Sequence, residues 1–257
     1  MSEPSRDPLA GRGSGALHAG VLDALGSRLV SGALASGDVL TLDGIAREYA
    51  VSMPVAREAI RVLESMGMVS SRRRVGVTVL ARESWNVFDP RLIRWRLDGG
   101  SGGDRAAQLL SLSELRRGFE PLAASLAAER ATPEHCARLT AAVAAMVVHG
   151  RSGDLEAYLV ADVAFHQTLL EASGNEMMTA LGEVVTEVLA GRTHHGMMPD
   201  RPNPEAIALH DAVSRAVLLE DPAAAEAAMR RIIDEAVTAM RHEHEGELAN
   251  PSSSSGG

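Results

Sequence analysis

Lysine is absent from this chain: all 25 basic residues are arginine. Ala and Gly are abundant alongside, so the bias reads as genome composition and not as an adaptation for binding. The one cysteine, Cys136, excludes an intramolecular disulfide framework and thiolate zinc clusters. Aromatic residues make up only 3% of the chain, so Ala, Leu, Val and Met must fill any core. No apolar run approaches the roughly 18 residues that a membrane-spanning helix needs. The first residues, Met1 to Gly15, are rich in Gly, Ser, Pro and Arg without an apolar centre, which is not the pattern of a secretory signal. These absences point to a protein of the reducing cytoplasm with no membrane segment.

The apolar fraction, 46% of 257 residues, is ample for one large domain or two modest ones. Net charge is −9, which weighs against a general nucleic-acid binder. Its distribution softens that objection. Residues 1–80 carry nine Arg against eight Asp or Glu, whereas residues 81–257 carry sixteen against twenty-six. A near-neutral first part beside an acidic second part suits binding to DNA at selected sites with weak non-specific attraction.

Residues 52–61, Ser-Met-Pro-Val-Ala-Arg-Glu-Ala-Ile-Arg, carry the most information. A short helix over 42–49 precedes them, with a tight break at Ala50-Val51-Ser52. A second helix is predicted over 54–66, opened by Pro54 in its first turn and stopped by Gly67. Strand segments at 69–71 and 75–80 flank Arg72-Arg73-Arg74. Together with a helix over 17–31, this order describes a winged helix-turn-helix. Its second helix can lie in the major groove, and its arginine-rich wing can face phosphates.

From Asp104 onward every long segment has helical period. The fold class is therefore mainly α: an N-terminal winged helix-turn-helix followed by an all-α helical bundle of six or seven helices. The expected divisions are a disordered arm at 1–15, the DNA-binding domain at 16–81 and a connector at 82–103. An all-helical ligand-sensing and dimerisation domain follows at 104–245, with a disordered tail at 246–257.

Asp162 and His166 stand four apart on one of these helices and so share a face. Such a pair can supply two ligands to a divalent metal, and His210 on a later helix is a third candidate. The plainer reading is an i,i+4 hydrogen bond within one helix. His242 and His244 lie in a charged stretch, and His18, His135 and His149 show no constellation. Arg116 has the same two readings. It forms a surface ion pair with Glu114 or Glu120, or it points a guanidinium into the bundle to clamp a carboxylate.

The motif Ser52-x4-Arg57-Glu58-Ala59-Ile60-Arg61-x-Leu63-Glu64-x2-Gly67 resembles the reader of the GntR superfamily. The order Glu114-x-Arg116-x3-Glu120-Pro121, Asp162-x2-Phe165-His166, then His210, resembles the FCD ligand-sensing domain of its FadR branch. Residues Trp85-Asn86-x2-Asp89-x5-Trp95 and Arg192-Thr193 are similar to the subgroup that includes the galactonate-operon repressor, although a Trp is expected where His194 stands. The resemblance implies a homodimeric repressor that binds a double-stranded DNA operator and answers to a small carboxylate. A sugar acid such as an aldonate is the favoured effector.

Carried over by position, Ser52, Arg57, Arg61, Arg72, Arg73, Arg74 and Gly76 are the expected DNA-contacting residues, Gly76 by letting the wing approach the backbone. Arg116, Asp162, His166, His194 and His210 are the expected effector ligands. Asp162, His166 and His210 also form an incomplete site for a divalent metal such as zinc or nickel. The fourth ligand of the family pattern is replaced by Ile232, so no cofactor is certain and a metal-free pocket is favoured. Met53 and Asp43 replace basic residues of the family's reader. Two alternatives remain: sensing of another organic acid beside a bound metal, and, remotely, a metal-dependent enzyme using the Asp/His cluster to activate water.

Overall fold

The computed structural model describes residues 14–100 and 102–249. It divides into two compact units, which meet in sequence at Gly99 and Gly100. Among the described residues no helix is long and apolar enough to cross a membrane. The expected arm and tail fall largely outside the described residues. Where description begins and ends, at Ser14 and Ala249, the chain is helical.

In the first unit, α1 (Ser14–Val30) buries Val21, Leu22, Leu25 and Leu29, spaced to share one helical face. The two-residue strand β1 (Val39–Leu40) follows, and α2 (Leu42–Glu48) opens on Thr41, whose hydroxyl accepts from the Gly44 amide at 3.0 Å. Next is α3 (Met53–Ser65). Ala56, Ala59, Ile60 and Leu63 lie at the i, i+3, i+4, i+7 spacing and are buried, which leaves Arg57, Glu58 and Arg61 on the opposite, exposed face. An antiparallel hairpin of β2 (Val69–Arg72) and β3 (Gly76–Val79) completes the sheet in the order β1-β3-β2, with Arg72 opposite Gly76. This is the expected winged helix-turn-helix.

Gly67 ends α3 with φ +69°, and a Cβ there would run into the Ser84 carbonyl oxygen. Backbone cannot retreat as a side-chain tip can. Gly67→Ala is therefore expected to destabilise this unit by more than the ~1 kcal/mol typical of left-handed strain alone. Chemical denaturation followed by the fluorescence of Trp85 and Trp95, both buried in the same unit, is the check.

Much of the expected connector at 82–103 packs into the first unit. A 3-10 turn (Arg82–Ser84) leads to α4 (Pro90–Gly99), which buries Leu92, Ile93, Trp95 and Leu97. Trp95 donates its indole N–H to Asp23 of α1 at 3.0 Å, and its ring fills the space a side chain at Gly26 would need. Trp85 is buried, with the guanidiniums of Arg82 and Arg96 each 5.8 Å from its ring centroid.

Seven helices make up the described part of the second unit: α5 (Gly102–Arg130), α6 (Pro133–Ser152), α7 (Leu155–Ala172), α8 (Glu176–Ala180), α9 (Gly182–His194), α10 (Pro204–Leu218) and α11 (Pro222–Ala249). Their core is Ala-, Leu- and Val-rich, as the scarcity of aromatics demands, with Phe165 of α7 at full burial. Helix α5 begins inside the expected connector, because burial of Ala106 and Leu109 outweighs the poor helix propensity of Gly102 and Gly103. Helices α8 and α9 are separated at Leu181.

Candidate functional site

Two sites emerge, one in each unit. On the first, Ser52 occupies the N-cap position of α3, yet its side chain makes no capping bond. Its exposed hydroxyl is left uncommitted at the mouth of the helix. Arg57 is exposed and makes no hydrogen bond or ion pair among the described residues. Arg61 is also exposed but is held by Glu58 at 3.2 Å. Asp43, which stands where a basic residue was expected, pairs with Arg47 at 2.7 Å and neutralises it.

The wing presents Arg72, Arg73 and Arg74 to solvent, with Arg74 at φ +69° in the turn. Gly76 has a reason internal to the fold. At φ +112° a Cβ would press on the Leu40 carbonyl oxygen at 2.7 Å, so glycine lets the wing pair with β1. The first unit thus exposes an uncommitted hydroxyl and a guanidinium without a partner among the described residues at the start of α3, and three arginines on the wing. That chemistry suits phosphates and base edges.

The second unit encloses a cavity of about 270 Å³ among α5, α7, α9, α10, α11 and the loop at 195–203. On α7, Asp154 caps the N-terminus by accepting from Ala157 at 3.0 Å. Tyr158, Asp162 and His166 then follow at four-residue steps, so all three line one wall. His210 reaches the same place from α10. Asp162, His166 and His210 each offer one ligand atom, and these atoms lie within 4.8 Å of one another.

The tautomers follow from their neighbours. His210 Nδ1 lies 2.7 Å from the Ala206 carbonyl oxygen and must donate to it, which leaves Nε2 as a lone pair. His166 Nδ1 donates to the Glu120 carboxylate at 2.8 Å. Its Nε2 stands 3.4 Å from Asp162 Oδ1, and His210 Nε2 stands 3.3 Å from the same oxygen. Neither Asp162 Oδ1 nor His210 Nε2 has a hydrogen-bond partner among the described residues. Buried acceptors that converge without a donor are costly, and a cation relieves them.

Burial alone would raise the Asp162 carboxyl, but the imidazoles of His166 and His210 outweigh it and hold it well below the ordinary range. Burial lowers His166, and the Glu120 and Asp162 carboxylates more than reverse this. A proton on His166 supplies one positive charge to the cluster. A divalent ion supplies two and satisfies His210 as well. One carboxylate oxygen and two imidazole lone pairs suit zinc or nickel, whose bonds of about 2.0–2.2 Å span such a cluster. The residues fit the group, with Glu120 as the carboxylate that orients His166 from behind.

Arg116 is not free to act as a simple clamp. It is fully buried, with Nε 2.5 Å and Nη2 3.2 Å from the two Glu120 oxygens. Burial raises the Glu120 carboxyl, yet Arg116 and His166 bring it down to about 2. Arg116, Glu120 and His166 form one buried chain behind the cluster.

Of the expected effector ligands, the fold brings Arg116, Asp162, His166 and His210 together, and it leaves His194 out. His194 is the last residue of α9, 51% exposed, and turns to Glu156 at 3.2 Å. Ile232 does face the cavity and makes its apolar wall where a fourth ligand was expected. Residues singled out by the fold alone are Tyr158, Asn203 and Glu235, and Arg192, which the sequence offered only as a mark of the subgroup, stands on the same wall. Tyr158 had a readable signal, one turn before Asp162.

Comparison with known proteins agrees with both units. Residues 17–79 match the model of bacterial regulatory proteins of the gntR family, and residues 111–235 match that of the FCD domain. The galactonate operon transcriptional repressor of Escherichia coli (strain K12) is 29% identical over 212 residues, which is 81% of this chain and 90% of that protein. An HTH-type transcriptional regulator of the same organism, YieP, is 26% identical over 212 residues, covering 81% and 89%. The solved structure of E. coli McbR/YncC has a TM-score of 0.53 over 89% of this chain and 98% of its own, at 19% identity, which bears on the fold.

Proposed function

Because this chain belongs to the GntR family and carries an FCD domain, it is a transcriptional regulator and not an enzyme, and we propose that it is a cytoplasmic homodimeric repressor released from its operator by a small hydroxylated carboxylate. The favoured class is a sugar acid, an aldonate, bound in the α5–α11 cavity. Asp162, His166 and His210 would hold a divalent ion there, and that ion would offer its remaining positions to oxygens of the acid.

The observation that carries this reading is the convergence of one carboxylate and two imidazoles, all buried, on one point of a small cavity whose other walls are mostly apolar. At about 270 Å³ the cavity is at the small end of ligand sites, which commonly span about 300–1,000 Å³. That size suits a compact polar acid and offers no tunnel for an acyl chain. The resemblance to a galactonate repressor supports the same class. Control of DNA binding requires the acid to prefer one dimer geometry over another, since a ligand shifts an equilibrium only through differential affinity.

The test is thermal unfolding of the full chain with aldonic, aldaric and 2-keto-3-deoxy sugar acids, with chelator or with added zinc or nickel. An aldonate should raise the midpoint when metal is present and lose that effect in chelator. Stabilisation that survives chelator would favour the metal-free pocket. No stabilisation by any sugar acid in either condition would contradict the effector class.

A further inference from the structure

We propose that Met53 reads the C5-methyl group of a thymine in the operator, close to the base that Arg57 reads. This rests on α3 being the reading helix and adds an apolar contact to its polar ones.

Met53 is the first residue of α3 and is 39% exposed. The fold has no use for its side chain. Val51 and Val55, two residues to either side, pack against the core of the first unit, and Met53 is not part of that core. The other face of α3 is buried by Ala56, Ala59, Ile60 and Leu63. Met53 is the one large apolar side chain that this helix leaves exposed.

Its position along the helix sets what it can meet. Met53, Arg57 and Arg61 follow at four-residue steps and are all exposed, so they form one stripe along the outer side of α3. Side chains one turn apart leave a helix about 5–6 Å from each other. Successive base pairs are stacked about 3.4 Å apart along the duplex. A helix whose Arg57 meets a base edge therefore brings Met53 within about two base pairs of it. Pro54 beside Met53 is also exposed and adds a second apolar surface at this end of the stripe.

The chemistry of the groove selects the base. On its major-groove edge thymine carries a methyl group, whereas adenine and guanine present only donors or acceptors, and cytosine a donor. A thioether laid over those polar groups strips them of water and returns no hydrogen bond. Over a thymine methyl both partners are apolar, and burying them together is favourable. The unbranched, polarisable methionine side chain adapts its shape to that contact.

The test starts from duplexes that the full chain selects from a random pool. Each thymine of the selected sequence is replaced in turn by deoxyuridine, which lacks only the methyl group. Affinities are measured by fluorescence anisotropy for wild type, Met53→Gln and Met53→Leu, with Arg57→Ala alongside. For wild type, one thymine per half-site should be sensitive, and loss of its methyl should weaken binding about 4-fold, the effect of one buried methyl. Cytosine at that position should also weaken binding, and 5-methylcytosine should restore part of it. Met53→Gln, of similar length but polar, should bind the thymine and deoxyuridine duplexes alike. Met53→Leu should keep a preference for the methyl. Because Met53 lies outside the core, both variants should unfold at the wild-type temperature. A methyl effect that persists in Met53→Gln, or the lack of any sensitive thymine, would overturn the assignment. If Arg57→Ala retains full specific binding, α3 is not the reader, and that reading fails and takes this inference with it, an outcome distinct from the other two.

Discussion

Arg57→Ala should abolish specific operator recognition, lowering affinity by roughly 5- to 150-fold at each half-site, the worth of about 1–3 kcal/mol for a two-point contact to a base edge. The expectation follows from position and availability. Arg57 leaves the first turns of α3 on its exposed face, and no carboxylate among the described residues competes for it. Arg61, shared with Glu58, should cost less when replaced. Each of Arg72→Ala, Arg73→Ala and Arg74→Ala should instead weaken all duplexes alike and flatten the salt dependence by about one ion. Fluorescence anisotropy on duplexes selected from a random pool by the wild-type protein separates these effects. Because Arg57 is solvent-exposed, its variant should unfold at the wild-type temperature. Full retention of specific binding would remove α3 as the reader.

The second large effect is expected from Glu120→Ala. Arg116 would then be a fully buried cation with no partner, a defect that costs about 3–5 kcal/mol. For a unit of this size that corresponds to a fall of roughly 10 °C in the unfolding midpoint. His166 would lose the carboxylate that fixes its Nδ1–H, so metal affinity should fall about 10- to 100-fold. Glu120→Gln keeps an acceptor for one of the donors and should fall between the two. Differential scanning calorimetry and competition with a metal-sensitive dye measure the two consequences separately. An unchanged midpoint together with unchanged metal affinity would mean that the buried chain neither supports the fold nor positions His166.

The reader was legible because its signal is local. Four apolar residues at helical spacing in α3 fix which face is buried, and the same spacing puts Arg57 and Arg61 outside. Asp162 and His166 were legible for the same reason, four residues apart on α7. His210 could be named only as a candidate on a later helix, and the family pattern singled it out, since nothing local ties α10 to α7. The fate of Arg116 could not be read. The four-residue step to Glu120 allows their pairing, but only packing buries both to 1% exposure or less and turns a cheap surface pair into a fixed one.

His194 was misplaced for a related reason. It is the last residue of α9, where a small change in the helix end decides whether a side chain faces inward or, as here, toward Glu156. Arg192 lies two residues earlier and lines the cavity. Sequence also gave no sign that Trp85 and Trp95 are buried with the first unit, because a stretch with two turns and a short helix carries too little periodicity.

The most direct measurement is operator binding by the full chain, loaded with nickel or stripped by chelator, as an aldonate is added, in wild type and in Asp162→Asn. The account predicts that the acid releases DNA from metal-loaded wild type. It should fail to do so after chelation and in the variant, while both still bind the operator without effector. Release that is equal with and without metal and unaffected by Asp162→Asn would contradict it.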